Sequence, residues 1–204
     1  MRGAQSAGPS GMSCLYIVRC DFTRNDLEGS WNDWYNGPKV QQLLGKPMFR
    51  AVQRFQLHAG SGRKYIALWQ VASADAFKTP QYASDWGFFE WERHVTNWSR
   101  DLFDAGDTPE AALAVPMHGF LQVLAFDGLD AGEAEAGRTA LAQVSELMWF
   151  KSAGLDRHTP IIGLRRMRDA IDNTIALPAG VQAGIYRPIC AFTRAAAAAS
   201  SSLV

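Results

Sequence analysis

The sequence predicts an α+β fold in which antiparallel sheets carry helices on their outer sides. Short β-branched segments alternate with amphipathic ones, and Gly- and Pro-rich turns separate them. The first half of the chain follows the order β-α-β-β-α, and the second half follows it with β-α-β-β. Because strand, helix, hairpin and helix is the order of the ferredoxin-like unit, we predict two tandem repeats whose sheets pack into one barrel.

The first predicted repeat spans residues 12–106 and begins with a strand. Segment 14–21 (CLYIVRCD) is short, apolar and β-branched, which favours a strand. Residues 25–44 place large apolar side chains on one helix face, with a break expected at the proline inside it. Residues 49–72 combine two strand-like segments with a Gly-rich turn, which predicts a hairpin. A helical pattern over 73–104, broken at a second proline, predicts the last helix.

The second predicted repeat spans residues 107–194 and keeps only a vestige of its final helix. Segment 117–126 (MHGFLQVLAF) predicts a strand, and the Ala- and Glu-rich segment 131–147 predicts a helix. Two further strands are predicted over 159–169 and 184–193, joined by a long loop. Residue identity between the two halves is weak, so the repeat is one of pattern.

The charge balance bears on the class of partner. The 204 residues include 20 Lys and Arg and 20 Asp and Glu, which gives a net charge of zero at pH 7. A basic nucleic-acid platform and a polybasic membrane anchor are therefore not predicted. We expect a small-molecule partner and no nucleic-acid or membrane partner. The protomer is predicted to be a monomer with an internally closed barrel or a homodimer.

The termini and the cysteines predict the compartment. Residues 1–11 are rich in Gly, Ser and Ala without an apolar core, which predicts a disordered leader or tag. Residues 195–204 are an Ala/Ser run that predicts a disordered tail. The three cysteines form no CxxC motif and no zinc-spaced cluster, so a reducing, cytoplasmic location is predicted.

Two aromatic motifs carry a resemblance to a known family. Segment 31–35 (WNDWY), followed by a proline and then by 45–55 (GKPMFRAVQRF), resembles the EthD-like branch of the dimeric α+β barrel superfamily. Segment 91–103 (WERHVTNWSRDLF) resembles the second helix of the same group. The resemblance covers roughly residues 14–104, and the second half matches through its pattern of elements.

The resemblance also departs from the family at one position. Such relatives place a histidine before the proline, whereas this chain has Asn36, Gly37 and Pro38. Any role of that histidine cannot be transferred to this chain. Members of the superfamily include cofactor-free cyclases and monooxygenases, lyases, haem-degrading enzymes and ligand binders. The resemblance therefore implies a small aromatic or polyketide-like substrate and leaves the chemistry open.

Strand parity predicts a cavity between the sheets, lined by the mixed polar and apolar strand faces. The predicted catalytic residues are His118, Arg54, His94 and Arg19. The predicted substrate-binding residues are Gln122, Trp69, Phe120, Tyr35 and Trp34. An arginine in a dry cavity suits a carboxylate, enolate or phenolate, and a histidine moves a proton near neutral pH. We therefore predict a lyase, isomerase or cyclase that uses no metal and no other cofactor.

Other interpretations stay open for the same residues. The two arginines are compatible with structural ion pairs to Asp21 or Glu90. His118 is compatible with a strand edge facing water, and His94 with packing in an aromatic helix face. The alternative functions are a haem- or flavin-linked monooxygenase, with His94 as the candidate axial ligand of a haem, a cofactor-free monooxygenase, and a non-catalytic binding or assembly protein. No nucleotide-binding, serine-hydrolase or zinc-protease motif is present.

Overall fold

A computed structural model describes residues 13–170 and 176–196. The predicted leader, residues 1–11, and residues 197–204 of the predicted tail lie outside these ranges. The strands are β1 (Ser13–Phe22), β2 (Phe49–Gly60), β3 (Tyr65–Val71), β4 (Val95–Gly106), β5 (Phe120–Ala125), β6 (Met148–Leu155), β7 (Ile161–Met167), β8 (Gln182–Pro188) and β9 (Thr193–Arg194). The α-helices are α1 (Glu28–Trp34), α2 (Val40–Leu44), α3 (Pro80–Ala83) and α4 (Ala131–Ala140).

Eight of these strands form one closed antiparallel barrel. Their order is β1-β4-β6-β7-β5-β8-β2-β3, and β3 pairs with β1 to complete the ring. The short strand β9 adds to β2 outside that ring. The barrel therefore closes within one chain, as expected, while the oligomeric state stays a prediction.

The ring divides into two halves with the same strand order. The first half, residues 13–106, contributes β4-β1-β3-β2, and the second half, residues 120–188, contributes β8-β5-β7-β6. The halves meet at two seams, β4 against β6 and β2 against β8. Each half presents one sheet face to the barrel interior and the other to its own helices.

Two of the eight barrel strands were not predicted from the sequence. The expected helix over 73–104 is wrong, because its last third is strand β4 and only short helical turns precede it. Four side chains of β4 point into the barrel, namely Ser99, Asp101, Phe103 and Ala105. Because Ser99 and Asp101 are polar, the alternation of apolar and polar residues that identifies a strand is hidden in the sequence. Strand β6 was missed because Phe150 is its one fully buried residue. Helix α4 also ends earlier than predicted, at Ala140.

The barrel interior is a packed core. Its apolar side chains include Leu15, Phe55, Phe103, Val123 and Ile162, all of which are buried. An eight-stranded barrel is just wide enough for side chains to fill. At one end, Gln53 donates to and accepts from the backbone of Val115, which fixes a loop across the opening.

A charged network closes the other end of the barrel. Arg19 binds Asp127 at 2.8 Å and Asp101 at 3.4 Å, and it also donates to the hydroxyl of Thr159. Arg63 donates to Ser99 at 2.7 Å, and Ser99 donates to Asp101 at 3.1 Å. These bonds join β1 of the first half to loops of the second half. The network therefore ties the two halves together at this end.

A broken helix covers the outer face of the first half. Between α1 and α2 lies a π-helical turn, Tyr35–Lys39, with Pro38 inside it. A proline in a helix removes one backbone donor and crowds the preceding turn, and a wide turn relieves this. The predicted break is confirmed at this proline. Beneath the helix, Trp31 stacks on Phe22 at a centroid distance of 4.7 Å.

Candidate active site

The predicted site residues do not share one cavity. The expected placement around an interior cavity is wrong, because the smooth apolar faces of the strands point into the barrel and most of the mixed faces point outwards. The roles of these residues stay predictions. Arg19 is inside the barrel, in the charged network. Arg54, Trp69, Tyr35 and Trp34 lie on the helix-covered outer face of the first half. Gln122, Phe120 and His118 belong to the outer side of the second half or to its edge.

Arg54 is enclosed by the first helix and is 1% exposed. Its guanidinium donates to the amide oxygens of Asn36 at 2.6 Å and Asn32 at 3.1 Å. It also stacks 3.9 Å from the ring centroid of Tyr35 and 4.9 Å from that of Trp31. These contacts replace water around a buried cation. Asn36 thus anchors the helix to β2.

His94 also lies away from any described cavity. It ends a 3-10 turn (Phe89–His94), and its ring packs edge-on against Phe22 at 5.9 Å. Its backbone carbonyl accepts from the amide of Thr23 at 2.9 Å. The position matches the alternative in which this histidine packs among aromatic residues.

A narrow cleft opens between the broken helix and the outer face of the first half. We call it the aromatic cleft, and the residues used below are Tyr16, Tyr35, Lys39, Tyr82, Trp86 and Arg100. The cavity volume of this cleft is about 30 Å³, and the value rises to about 390 Å³ only when the open space at its mouth is included. Trp86 and Trp98 are exposed at its rim. Aromatic walls with a few polar groups are typical of a site for a small planar molecule.

Lys39 is the buried cation of this cleft. It is 4% exposed, and its Nζ donates to Gln42 at 3.0 Å and lies 4.7 Å from the ring centroid of Phe89. Within the part of the chain that the structure describes, no carboxylate forms an ion pair with it. Burial lowers the pKa of Lys39 to about 8, with a smaller opposing effect of Asp85. A lysine of this kind can give or accept a proton near neutral pH.

Two tyrosines and an arginine supply further polar groups. The hydroxyls of Tyr16 and Tyr82 lie 3.2 Å apart, which is hydrogen-bond distance. Burial, reinforced by Tyr82, raises the pKa of Tyr16 well above its usual value, and burial also raises that of Tyr35. These two phenols are therefore protonated at neutral pH. Arg100 stacks 4.3 Å from the ring centroid of Trp86 at the rim.

Sequence reasoning missed most of this cleft. Tyr35 was predicted to bind substrate, but Lys39, Tyr16, Tyr82 and Arg100 were not. One signal was available, because Tyr35 and Lys39 are four residues apart on one helix face and flank the proline. A π turn often marks a functional site. The other residues come from three separate elements, so only the fold brings them together.

The aromatic cleft does not fit a haem. Neither a histidine nor a cysteine is among its lining residues in the described ranges. The raised pKa values of Tyr16 and Tyr35 make both phenols poor anionic ligands. The described residues also contain no group of three or more His, Cys, Asp and Glu side chains placed to hold a metal ion.

No helix in the described ranges has the length and apolar character needed to cross a membrane.

Comparison with known proteins defines the fold. No family model and no curated protein matches the chain. The structure is similar to an anthrone oxidase-like protein, with a TM-score of 0.57 and 10% identity over 96% of this chain and 98% of that one. It is also similar to a variant of the chlorite dismutase from Candidatus Nitrospira defluvii, with a TM-score of 0.50 and 14% identity over 89% and 93%.

A third solved structure, a putative monooxygenase from Lactobacillus acidophilus NCFM, aligns with a TM-score of 0.48 and 8% identity over 87% of this chain and 94% of that one. The chain has the fold of the dimeric α+β barrel proteins, an eight-stranded antiparallel barrel with few helices. The resemblance to the EthD-like branch of that superfamily stays a prediction.

Proposed function

We propose that the protein is a cofactor-independent oxygenase that acts on a small planar phenolic or polyketide-like compound in the aromatic cleft. One protein of the same fold is described as anthrone oxidase-like. This description favours oxidation over the lyase, isomerase or cyclase chemistry predicted from the sequence. The aromatic walls favour a flat ring system. Membership of the EthD-like branch is compatible with this function and is not required for it.

Lys39 carries the proposal. It is a buried amine on an aromatic wall, and no carboxylate of the described ranges forms an ion pair with it. Burial lowers its pKa to about 8. In its neutral form the amine takes a proton from an acidic carbon or phenol of the substrate. The ammonium that results then stabilises the substrate anion in a poorly solvated site.

The reaction balances with dioxygen as the second substrate. Lys39 removes a proton from a ring methylene flanked by aromatic rings. The electron pair of the broken C–H bond stays on the substrate carbon. That carbon adds dioxygen, the second C–H proton is lost and the O–O bond breaks. One oxygen atom remains as a carbonyl and the other leaves as water. A methylene and one dioxygen thus give one ketone and one water, and no external reductant is consumed.

The remaining polar groups position the anion. In this proposal one hydroxyl of the Tyr16–Tyr82 pair, the one whose proton is not used in the bond between them, donates a hydrogen bond to the substrate oxygen on which negative charge develops. Arg100, held on Trp86 and paired with Asp156 at 3.3 Å, lies at the mouth as a further hydrogen-bond donor. Donors aimed at a developing oxyanion contribute strongly when water is excluded. Two rim tryptophans, Trp86 and Trp98, would cover the flat substrate.

The proposal is tested with anthrone as the probe substrate. We expect anthraquinone to form with the uptake of one dioxygen per quinone. Lys39→Met should lower kcat by about 10²–10⁴-fold, the range for a general base. The kcat/KM of the wild-type protein should rise with pH around a midpoint near 8, since the neutral amine is the active form.

Lys78→Met is the matched control, because Lys78 is exposed and pairs only with Asp75 on the surface. This variant should keep the wild-type rate. Circular dichroism and thermal melts of both variants separate loss of activity from loss of fold. Equal rates for wild type and Lys39→Met would remove Lys39 from the mechanism. The absence of quinone formation above the buffer rate would overturn anthrone-type oxygenation.

We also infer that the two halves are tandem ferredoxin-like repeats. The same strand order in both halves supports this, since it does not arise from barrel closure alone. The domain boundaries predicted at residues 12–106 and 107–194 accord with it, because β4 ends at Gly106. Separate expression of each half would test it, with cross-complementation of the two fragments as the expected result and two unfolded, non-associating fragments as the contrary one.

A further inference from the structure

A second cleft lies on the outer side of the second half, where β5 begins and β7 ends. We call it the basic cleft, and its charged lining residues are His118, Glu146, Arg165, Arg166, Arg168 and Asp169. The space not filled by atoms, including its opening to solvent, is about 1310 Å³. Three arginines against two acids give the cleft a positive balance.

Arg165 is the buried wall of this cleft. It is 8% exposed, and its Nε and Nη2 atoms are both buried without a hydrogen-bond partner in the described ranges. No described carboxylate pairs with it, although Glu146 and Asp169 line the same cleft. A guanidinium keeps its charge, so leaving these two donors unpaired in a buried place is unfavourable.

The two unpaired atoms have a defined geometry. Nε and Nη2 form one edge of the planar guanidinium, and their N–H bonds point the same way. This edge matches the two oxygens of a carboxylate or phosphate group, which can accept two parallel hydrogen bonds. Arg24 shows the same arrangement elsewhere in this chain, where its Nε and Nη2 bind the two oxygens of Asp26 at 2.8 and 2.6 Å.

Gln122 adds a second unpaired group beside Arg165. It lies directly opposite Arg165 in the β5–β7 ladder and is 4% exposed. Its Oε1 atom is buried and has no donor among the described residues. A ligand that offers two acceptor oxygens and one hydroxyl would satisfy both side chains. A hydroxy acid and a hydrogen phosphate both have that pattern.

We propose that the basic cleft is a binding site for an oxyanion, the carboxylate or phosphate group of a small ligand. Arg165 is the bidentate donor, and Gln122, which is not itself among the residues lining the cleft, accepts from a ligand hydroxyl inserted beside Arg165. Arg168 and His118 contribute positive or polar surface at the open side. The site uses none of the residues of the aromatic cleft, so it does not depend on the proposed oxygenase activity.

The test uses inorganic phosphate and glycolate as probes on the full chain. Each is titrated into protein labelled with ¹⁵N at arginine, and the Nε–Hε resonance of Arg165, assigned from Arg165→Lys, is followed. We expect saturable binding tighter than about 1 mM for at least one probe, with a shift of this resonance. Binding of phosphate alone identifies a phosphate ligand, and binding of glycolate alone identifies a carboxylate. Potassium chloride at matched ionic strength controls for screening.

Variants separate the site from general surface charge. Arg165→Lys keeps the charge and removes the fork, so affinity should fall at least tenfold while the thermal melt stays that of a folded protein. Arg168→Gln, an exposed arginine of the same cleft, should change affinity by less than threefold. Arg187→Gln, on the exposed side of β8, should leave it unchanged. The proposal is overturned if neither probe saturates, or if Arg165→Lys binds as tightly as the wild type.

Discussion

Two buried arginines, one on the outer face of each half, occupy very different surroundings. Arg54 in the first half is held by two asparagine oxygens and by the faces of Trp31 and Tyr35. Arg165 in the second half has two buried donors with no partner in the described ranges. A buried cation that the protein itself satisfies serves structure. One that it leaves unsatisfied points to a ligand.

The same contrast runs through the neighbouring strand pairs. In the first half, Tyr16 lies opposite Trp69, and both pack beneath the broken helix. In the second half, Gln122 lies opposite Arg165, and the ten-residue helix α4 packs instead over Leu124 and Phe126. The first face is therefore filled by aromatic residues with one narrow cleft. The second face stays polar and open at one end.

The largest loss of stability is expected at a third buried arginine, Arg19. Arg19→Met should lower the free energy of unfolding by about 3–5 kcal/mol, because it leaves the buried carboxylate of Asp101 without its cation and leaves Asp127 with only the longer contact to Arg63 at 3.7 Å among the described arginines and lysines. Urea denaturation at pH 7 measures this. A loss below ~1 kcal/mol would show that the charged network does not hold the two halves together.

The first of the two outer-face arginines should show an intermediate loss. Arg54→Met should destabilise the fold by about 1–3 kcal/mol, since the oxygens of Asn32 and Asn36 lose their donor inside the protein. Urea denaturation again measures the effect. Arg54→Lys is the control, because it keeps the charge but not the planar stacking on Tyr35, and it should also be destabilised. If Arg54→Met left the free energy of unfolding unchanged, the contrast between the two outer-face arginines would be wrong.

Arg165→Met should act in the opposite direction. Without added anion, the fold should gain up to about 1 kcal/mol, since an unpaired buried charge is replaced by an apolar chain of similar length. Phosphate or glycolate, whichever binds, should raise the melting temperature of the wild type and not that of this variant. Destabilisation by more than ~1 kcal/mol in the absence of anion would show that Arg165 has a structural partner.

The effect of Lys39 on stability has a definite pH dependence. Burial lowers its pKa to about 8 in the folded protein, whereas the unfolded value is about 10.4. Between these values the unfolded chain binds more protons, so the lysine's contribution to stability rises with pH. The difference in unfolding free energy between wild type and Lys39→Met should therefore shift in favour of wild type from pH 8 to pH 10. A flat difference would contradict the lowered pKa.

The sequence predicted strands better where one face was uniformly apolar. The segments around Ile17, Phe55 and Leu68 were found because apolar side chains alternate there or fill the strand. Strand β4 was missed because Ser99 and Asp101 face the barrel interior, where their polarity serves the charged network. Polar residues inside a barrel break the alternation on which strand prediction relies.

The candidate sites were less predictable than the fold. Strand parity separates two faces but does not say which one points inwards, so Gln122 was assigned to the barrel interior when it faces outwards. Arg165 gave no sequence signal of function and Lys39 gave only its four-residue spacing from Tyr35, since a lone Lys or Arg is usually exposed. Lys39 is buried because it lies on the helix that crosses the sheet of the first half. Arg165 is buried at its position on strand β7.

The proposed oxygenase activity depends most on a proton-accepting lysine held in the aromatic cleft. The direct measurement is the titration of Lys39 by NMR in protein labelled with ¹³C at the lysine Cε position, with the resonance assigned from Lys39→Met. We expect a midpoint near pH 8, well separated from the exposed lysines, and a shift of that resonance on adding a planar phenol. A midpoint at the ordinary lysine value of about 10.4, with no response to the phenol, would contradict it.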